Sequence, residues 1–165
     1  MATERTVEVE WIGAFLDGEG KIVSSTSGQL PELEVTWEGR TNEDAGLTSP
    51  EELLAAAHAS CYSMALASGL VGGGWEPMEI KTSCTVALEV GVGVVSSKLV
   101  TTVELDGEIP DDKLREVAER AKLSCPISKA LAGTEITLEL PQLPPPEDEL
   151  EEGAEGEEVG AAAEE

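Results

Sequence analysis

Aromatic residues make up only 3% of this 165-residue sequence, so any core it builds must be packed from aliphatic side chains and alanine. Positive charge is also scarce. Ten Lys and Arg stand against 34 Asp and Glu, for a formal net charge of −24 at pH 7. Such a surface repels phosphate backbones and excludes nucleic acid as an expected partner. Cysteine is confined to Cys61, Cys84 and Cys125. An odd number at wide spacing, with no Cys-x-x-Cys pair, matches neither a secreted disulfide framework nor a structural zinc site. No stretch reads as the run of about 20 apolar residues that a bilayer crossing requires. The charged start lacks the apolar centre of an export signal, so a cytoplasmic protein with no membrane partner is expected. In a reducing compartment its free cysteines are either packing residues or reactive thiols.

What is present is enough for one compact domain, since 41% of residues are hydrophobic. Thr6–Ile12 alternates apolar and acidic residues and predicts a half-buried strand. Lys21–Ser25 and Glu32–Trp37 predict two more, joined by tight turns into an antiparallel meander. Glu38–Thr48 reads as a polar loop. Ser49-Pro50-Glu51-Glu52 then gives a sharp helix start: a serine N-cap, proline at the first helical position, and a capping-box glutamate. This helix runs to about Leu70 and is apolar nearly all round, so it needs cover on most sides. A chain this poor in large side chains supplies little cover, and an intertwined dimer would provide it.

Ile80, Thr82, Cys84, Val86, Leu88 and Val90 share one face of a long strand, and Val95–Leu105 is its return. Asp111–Ser124 is an amphipathic helix carrying Leu114, Val117, Ala118 and Ala121, with Cys125 continuing the same face. Pro126 interrupts it, Ile127–Ala132 adds a helical turn, and Thr134–Leu140 is a last strand. The order implies an α+β domain over residues 1–140 with largely antiparallel sheet around a buried central helix. Residues 141–165 form an acidic tail that composition marks as disordered. Removing the tail's ten acidic residues still leaves a formal charge of −14 on residues 1–140.

Several side chains could carry chemistry. Cys61 lies mid-helix and reads equally as a small buried packing residue or as a nucleophile. Cys125 continues an apolar face, yet it precedes Pro126 at a new helical turn, where amide dipoles favour a thiolate. Cys84, on an apolar strand face, reads as packing. His58 lies one turn before Cys61 and could pack, cap or pair with it. Zinc held by Cys61, His58 and Cys125 would lack a fourth ligand. Arg40 is isolated in the loop before the cysteine helix. It is either a solvated charge or a group placed to stabilise a thiolate and a developing alkoxide.

The stretch Thr-Ser-Pro-Glu-Glu-Leu-Leu-Ala-Ala-Ala-His-Ala-Ser-Cys-Tyr-Ser-Met-Ala-Leu (48–66) resembles the OsmC/Ohr family of osmotically inducible and organic hydroperoxide resistance proteins. So does Ser-Cys-Pro-Ile-Ser-Lys-Ala-Leu (124–131), and the Ala-Ala-His-Ala-x-Cys form is more like the OsmC branch. The resemblance covers about residues 5–140. It implies an OsmC-like fold, an intertwined homodimer with two sites at the subunit interface, and a peroxidatic Cys61 with a resolving Cys125. It also implies a glutamate, here Glu51, paired with an arginine, matched here to Arg40; Glu52 is the competing glutamate. The implied activity is cysteine-based reduction of organic hydroperoxides in oxidative and osmotic stress, without metal or organic cofactor. The resemblance further implies an external dithiol of lipoyl type that would regenerate the enzyme. Two other readings stay open: a non-catalytic member of the fold that binds an apolar ligand, and a general thiol–disulfide oxidoreductase.

Overall fold

A computed structural model of the chain describes residues 2–144. The acidic segment 145–165, which composition marks as disordered, lies outside the described residues.

The N-terminal meander forms as expected: β1 (Val7–Ile12), β2 (Glu19–Ser25) and β3 (Leu33–Thr36) make an antiparallel sheet in the order β1-β2-β3. The Trp11 indole lies over two glycines of this hairpin. A Cβ on Gly18 or Gly20 would come within 2.8 Å of the ring, so the close approach requires glycine at both positions. The segment 38–48 is not all loop. It contains a one-turn helix α1 (Trp37–Thr41) and a 3₁₀ turn (Glu43–Ala45). Thr36 caps α1 by accepting from the Gly39 N–H at 2.9 Å. Five residues are too few for a helical period to register in the sequence.

The long helix α2 spans Pro50–Gly72, two residues beyond the expected end. Ser49 caps it by accepting from the Glu52 N–H at 3.1 Å. The capping box is only half made, because the Glu52 carboxylate accepts from the Thr48 hydroxyl at 2.6 Å instead. Removing the cap tests its contribution: Ser49→Ala should lower stability by about 1 kcal/mol. A lower urea midpoint with an unchanged slope would show it.

The C-terminal half builds a second sheet from β4 (Glu76–Glu89), β5 (Gly93–Asp106) and β6 (Glu135–Glu139), in the order β4-β5-β6. β4 and β5, 14 residues each, form an antiparallel hairpin. Between β5 and β6 run α3 (Asp111–Ser124) and α4 (Pro126–Ala130), so β6 returns parallel to β5. This one parallel pairing lies within an otherwise antiparallel arrangement, as the largely antiparallel expectation allows, and the crossover helices are its cause.

Helix α2 packs on this second sheet and against α3 and α4. Its buried stripe, Tyr62, Leu66 and Leu70, meets Leu99 of β5 and Leu114, Val117, Ala118 and Ala121 of α3; Cys125 completes the cluster. Leu66, Leu70 and Leu99 are fully buried, each worth about 1.5–3 kcal/mol relative to exposure. The opposite side of α2 is open in the single chain, with Met64 66% and Val71 57% exposed. The N-terminal sheet is bare as well: Val7, Val9, Trp11 and Ile12 are all exposed. The chain covers its central helix on one face only.

By length and composition α2 is apolar enough to cross a membrane, contrary to the sequence expectation. The reason is its many alanines, with no charge after Glu52. A soluble core helix passes the same test, and here the larger apolar residues of the buried stripe face the chain's own core.

Candidate active site

The ends of two short elements and one face of α2 bring the candidate residues together in two groups. The first is at the start of α2. Arg40, in the last turn of α1, grips Glu51 through three contacts: Nε to Oε1 at 3.0 Å and to Oε2 at 3.3 Å, and Nη2 to Oε1 at 2.7 Å. Glu51 is only 8% exposed, so its charge relies on this partner. The pairing decides between the two adjacent glutamates in favour of Glu51, since Glu52 is held by Thr48. These residues line a cleft of about 720 Å³ between the start of α2 and the end of β4, with Leu47, Ala55, Cys84 and Leu88. The thiol sharing this cleft with Arg40 is Cys84, not Cys61.

The second group lies around the break between α3 and α4. Cys125 ends α3, donating its N–H to the Ala121 carbonyl at 2.9 Å, and occupies the N-cap position of α4. It is fully buried, whereas Cys61 on α2 is only partly covered. The two thiols, 64 residues apart in sequence, act on each other's acidity through a side-chain contact. Burial pushes the Cys61 thiol up, and the Cys125 sulfur adds to the push, while the Ile127 amide opposes it. At Cys125 burial also works upward, but other groups outweigh it: the Ser128 amide and hydroxyl, the Cys61 thiol and the Ile127 amide. The result lies below the ordinary thiol value. Cys125 makes no regular capping hydrogen bond. The first-turn amides nonetheless act on its sulfur, as expected for a helix start.

Within the single chain Arg40 stands apart from Cys61. Ten residues of helix separate Glu51 from Cys61, about 15 Å of rise, and Arg40 is not among the groups that shift Cys61. Within one chain the guanidinium is engaged by Glu51 and does not reach that sulfur.

His58 supplies what sequence reasoning left open. It is fully buried, with Nδ1 2.8 Å from Ser97 Oγ and Nε2 2.8 Å from Ser128 Oγ. Cys84 Sγ is 3.3 Å from the same Ser97 hydroxyl and 3.9 Å from His58 Nδ1. Burial pushes the imidazole down from its ordinary value and favours the neutral ring. Neither Ser97 nor Ser128 stands out in the sequence. The only available signal was a serine three residues after Cys125, in the first turn of α4. Among the described residues, no three His, Cys, Asp or Glu side chains converge as a metal site.

Comparison with known proteins places this geometry. The family described as OsmC-like protein matches residues 30–140. The chain belongs to the OsmC family. This OsmC-family chain is 34% identical over 142 residues to Peroxiredoxin OsmC of Escherichia coli (strain K12), a match covering 84% of this chain and 96% of the relative. It is also 34% identical over 128 residues to organic hydroperoxide resistance protein OhrA of Bacillus subtilis (strain 168), covering 74% and 87%. Among solved structures, an OsmC-like protein from Vibrio cholerae superposes with a TM-score of 0.66 at 18% identity, covering 84% of this chain and 99% of that one. OhrB of Bacillus subtilis gives 0.59 at 25% identity, covering 82% and 97%. The α+β architecture is thus the OsmC fold, and the two sequence relatives are named as a peroxiredoxin and an organic hydroperoxide resistance protein.

Proposed function

We propose that this OsmC-family protein is a cytoplasmic thiol peroxidase that reduces organic hydroperoxides to alcohols in stress defence. The observation that carries the reading is the pairing of a partly exposed thiol, Cys61, with a fully buried, acidified one, Cys125. Of these two, Cys61 is the one a substrate can reach. Loss of the Cys61 proton leaves the thiolate that attacks the distal peroxide oxygen. The O–O bond breaks, the alkoxide takes up a proton, and Cys61 becomes a sulfenic acid. Cys125 then attacks that sulfur, the S–S bond forms, and the hydroxyl leaves as water. An external dithiol, of the lipoyl type the family implies, restores both thiols by exchange.

The uncovered apolar surfaces of the N-terminal sheet and of α2 support a homodimer, since a single chain rarely exposes so much apolar area. In such a dimer Arg40, oriented by Glu51, serves the Cys61 of the second copy and stabilises the departing alkoxide. Titrating the reduced protein with cumene hydroperoxide tests the reading. One equivalent should convert Cys61 and Cys125 into a mapped disulfide. Peroxide left unconsumed, with Cys61 still free, would overturn it and favour an apolar-ligand role for the cleft lined by Leu47, Ala55 and Leu88.

A further inference from the structure

The only histidine of the chain is fully buried in a hydrogen-bonded series that starts at the Cys84 thiol and ends at Ser128, beside the N-cap residue Cys125 of α4. Cys84 Sγ meets Ser97 Oγ, Ser97 Oγ meets His58 Nδ1, and His58 Nε2 meets Ser128 Oγ. Ser128 sits three residues after Cys125, in the first turn of the helix α4 that Cys125 opens as its N-cap residue. Ser97 and Ser128 are themselves buried, at 0% and 7% exposure. Burying an imidazole and two hydroxyls is costly unless each is satisfied, and here each partner satisfies the next. A packing role alone would not require a series that starts at one thiol and ends beside another.

We propose that His58 is a positioning residue for the resolving half of the cycle: its Nε2–H donates to Ser128 Oγ, whose hydroxyl is thereby aimed at Cys125 Sγ. Ser97 fixes the tautomer by donating to Nδ1 and accepts in turn from the Cys84 thiol. The inference rests on the peroxidase reading above. In it, the donated hydrogen bond steadies the Cys125 sulfur as it gives up its proton and attacks the Cys61 sulfenic acid. The S–S bond forms, the S–O bond breaks, and the hydroxyl leaves as water, so no further reactant is needed. The titratable groups facing this series are Cys61 and Tyr62 from α2 and Cys84 from β4. Glu119 of α3 acts on Tyr62. Among the described residues no carboxylate or cation is hydrogen-bonded to His58. Its influence on Cys125 therefore runs through Ser128.

The test is single-turnover oxidation of the reduced full chain with cumene hydroperoxide. Peroxide loss and the Cys61–Cys125 disulfide are followed separately by quenching and mass analysis. His58→Gln and Ser128→Ala are compared with wild type across pH. In both variants the condensation should fall about three- to tenfold relative to the peroxide step of the same variant, because less Cys125 is thiolate. The pH midpoint of condensation should move up by about one unit or more. Sulfenic acid should persist, and excess peroxide should drive Cys61 on to sulfinic acid. Ser128→Ala breaks the series while leaving the His58 ring packed, so it discriminates even if His58→Gln does not fold. A folded Ser128→Ala with the wild-type ratio and midpoint overturns the proposal while the peroxidase reading stands. If wild type itself makes no disulfide, both fall together.

Discussion

Cys61→Ser is expected to reduce organic hydroperoxide turnover to below about one-thousandth of wild type, because a serine hydroxyl cannot be oxidised to the sulfenic state. Cys125→Ser should behave differently. It should consume one equivalent of peroxide per chain, accumulate a Cys61 sulfenic acid, and form no intramolecular disulfide. Its first step should also titrate differently. Burial is the main cause of the raised Cys61 thiol, and it remains in the variant. The Cys125 sulfur is a further cause, and it is removed. The pH at which peroxide attack is half-maximal should therefore move down in Cys125→Ser relative to wild type. Stopped-flow peroxide loss between pH 5 and 10, with a sulfenic-acid probe at the end point, checks both effects. Steady turnover by Cys61→Ser would end the peroxidase reading. An upward shift in Cys125→Ser would show that the two sulfurs are not paired as the structure has them.

How much of this is legible in the sequence depends on the range of the interaction. Helix α3 is, residue for residue, where its pattern puts it, because Leu114, Val117, Ala118 and Ala121 all face one core. The start of α2 is equally plain, since Ser49 and Pro50 act on the next few residues only. Helix α1 is not legible. Its one turn is held by the Thr36 cap, and its residues have no periodic face to reveal. The parallel pairing of β6 follows from the crossover through α3 and α4, which no local pattern in Glu135–Glu139 encodes. The site divides in the same way. That an amide-rich turn at Cys125–Pro126 would favour a thiolate could be argued from the residues themselves, and Cys125 does hold the N-cap position of α4. That Cys61 meets Cys125 came only through family resemblance, because the 63 intervening residues carry no local signature of the contact. The His58 series was invisible for the same reason: its partners Ser97 and Ser128 come from β5 and α4.

The position of Arg40 leads to the second large effect. Arg40→Ala should slow the peroxide step by about 10²–10³-fold, the usual loss when one donor to a developing oxyanion is removed. Within one chain the arginine is held by Glu51, about 15 Å of helix from Cys61, so such a loss would be unexplained if each chain worked alone. It is explained if Arg40 of one copy faces Cys61 of the other. Mixing distinguishes the two arrangements. Cys61→Ser and Arg40→Ala chains are each nearly inactive, and both are unfolded and refolded together. In a mixed dimer one site then combines an intact Cys61 with an intact Arg40 from the opposite chain, while the other site lacks both. Random pairing makes about half the dimers mixed, each with one working site of two, so activity should return to about a quarter of wild type. If Arg40 serves its own chain, every site lacks one group and mixing restores nothing. Recovery would locate the reaction at the junction of two chains and give the exposed sheet of Val7, Val9, Trp11 and Ile12 its role as cover for that junction.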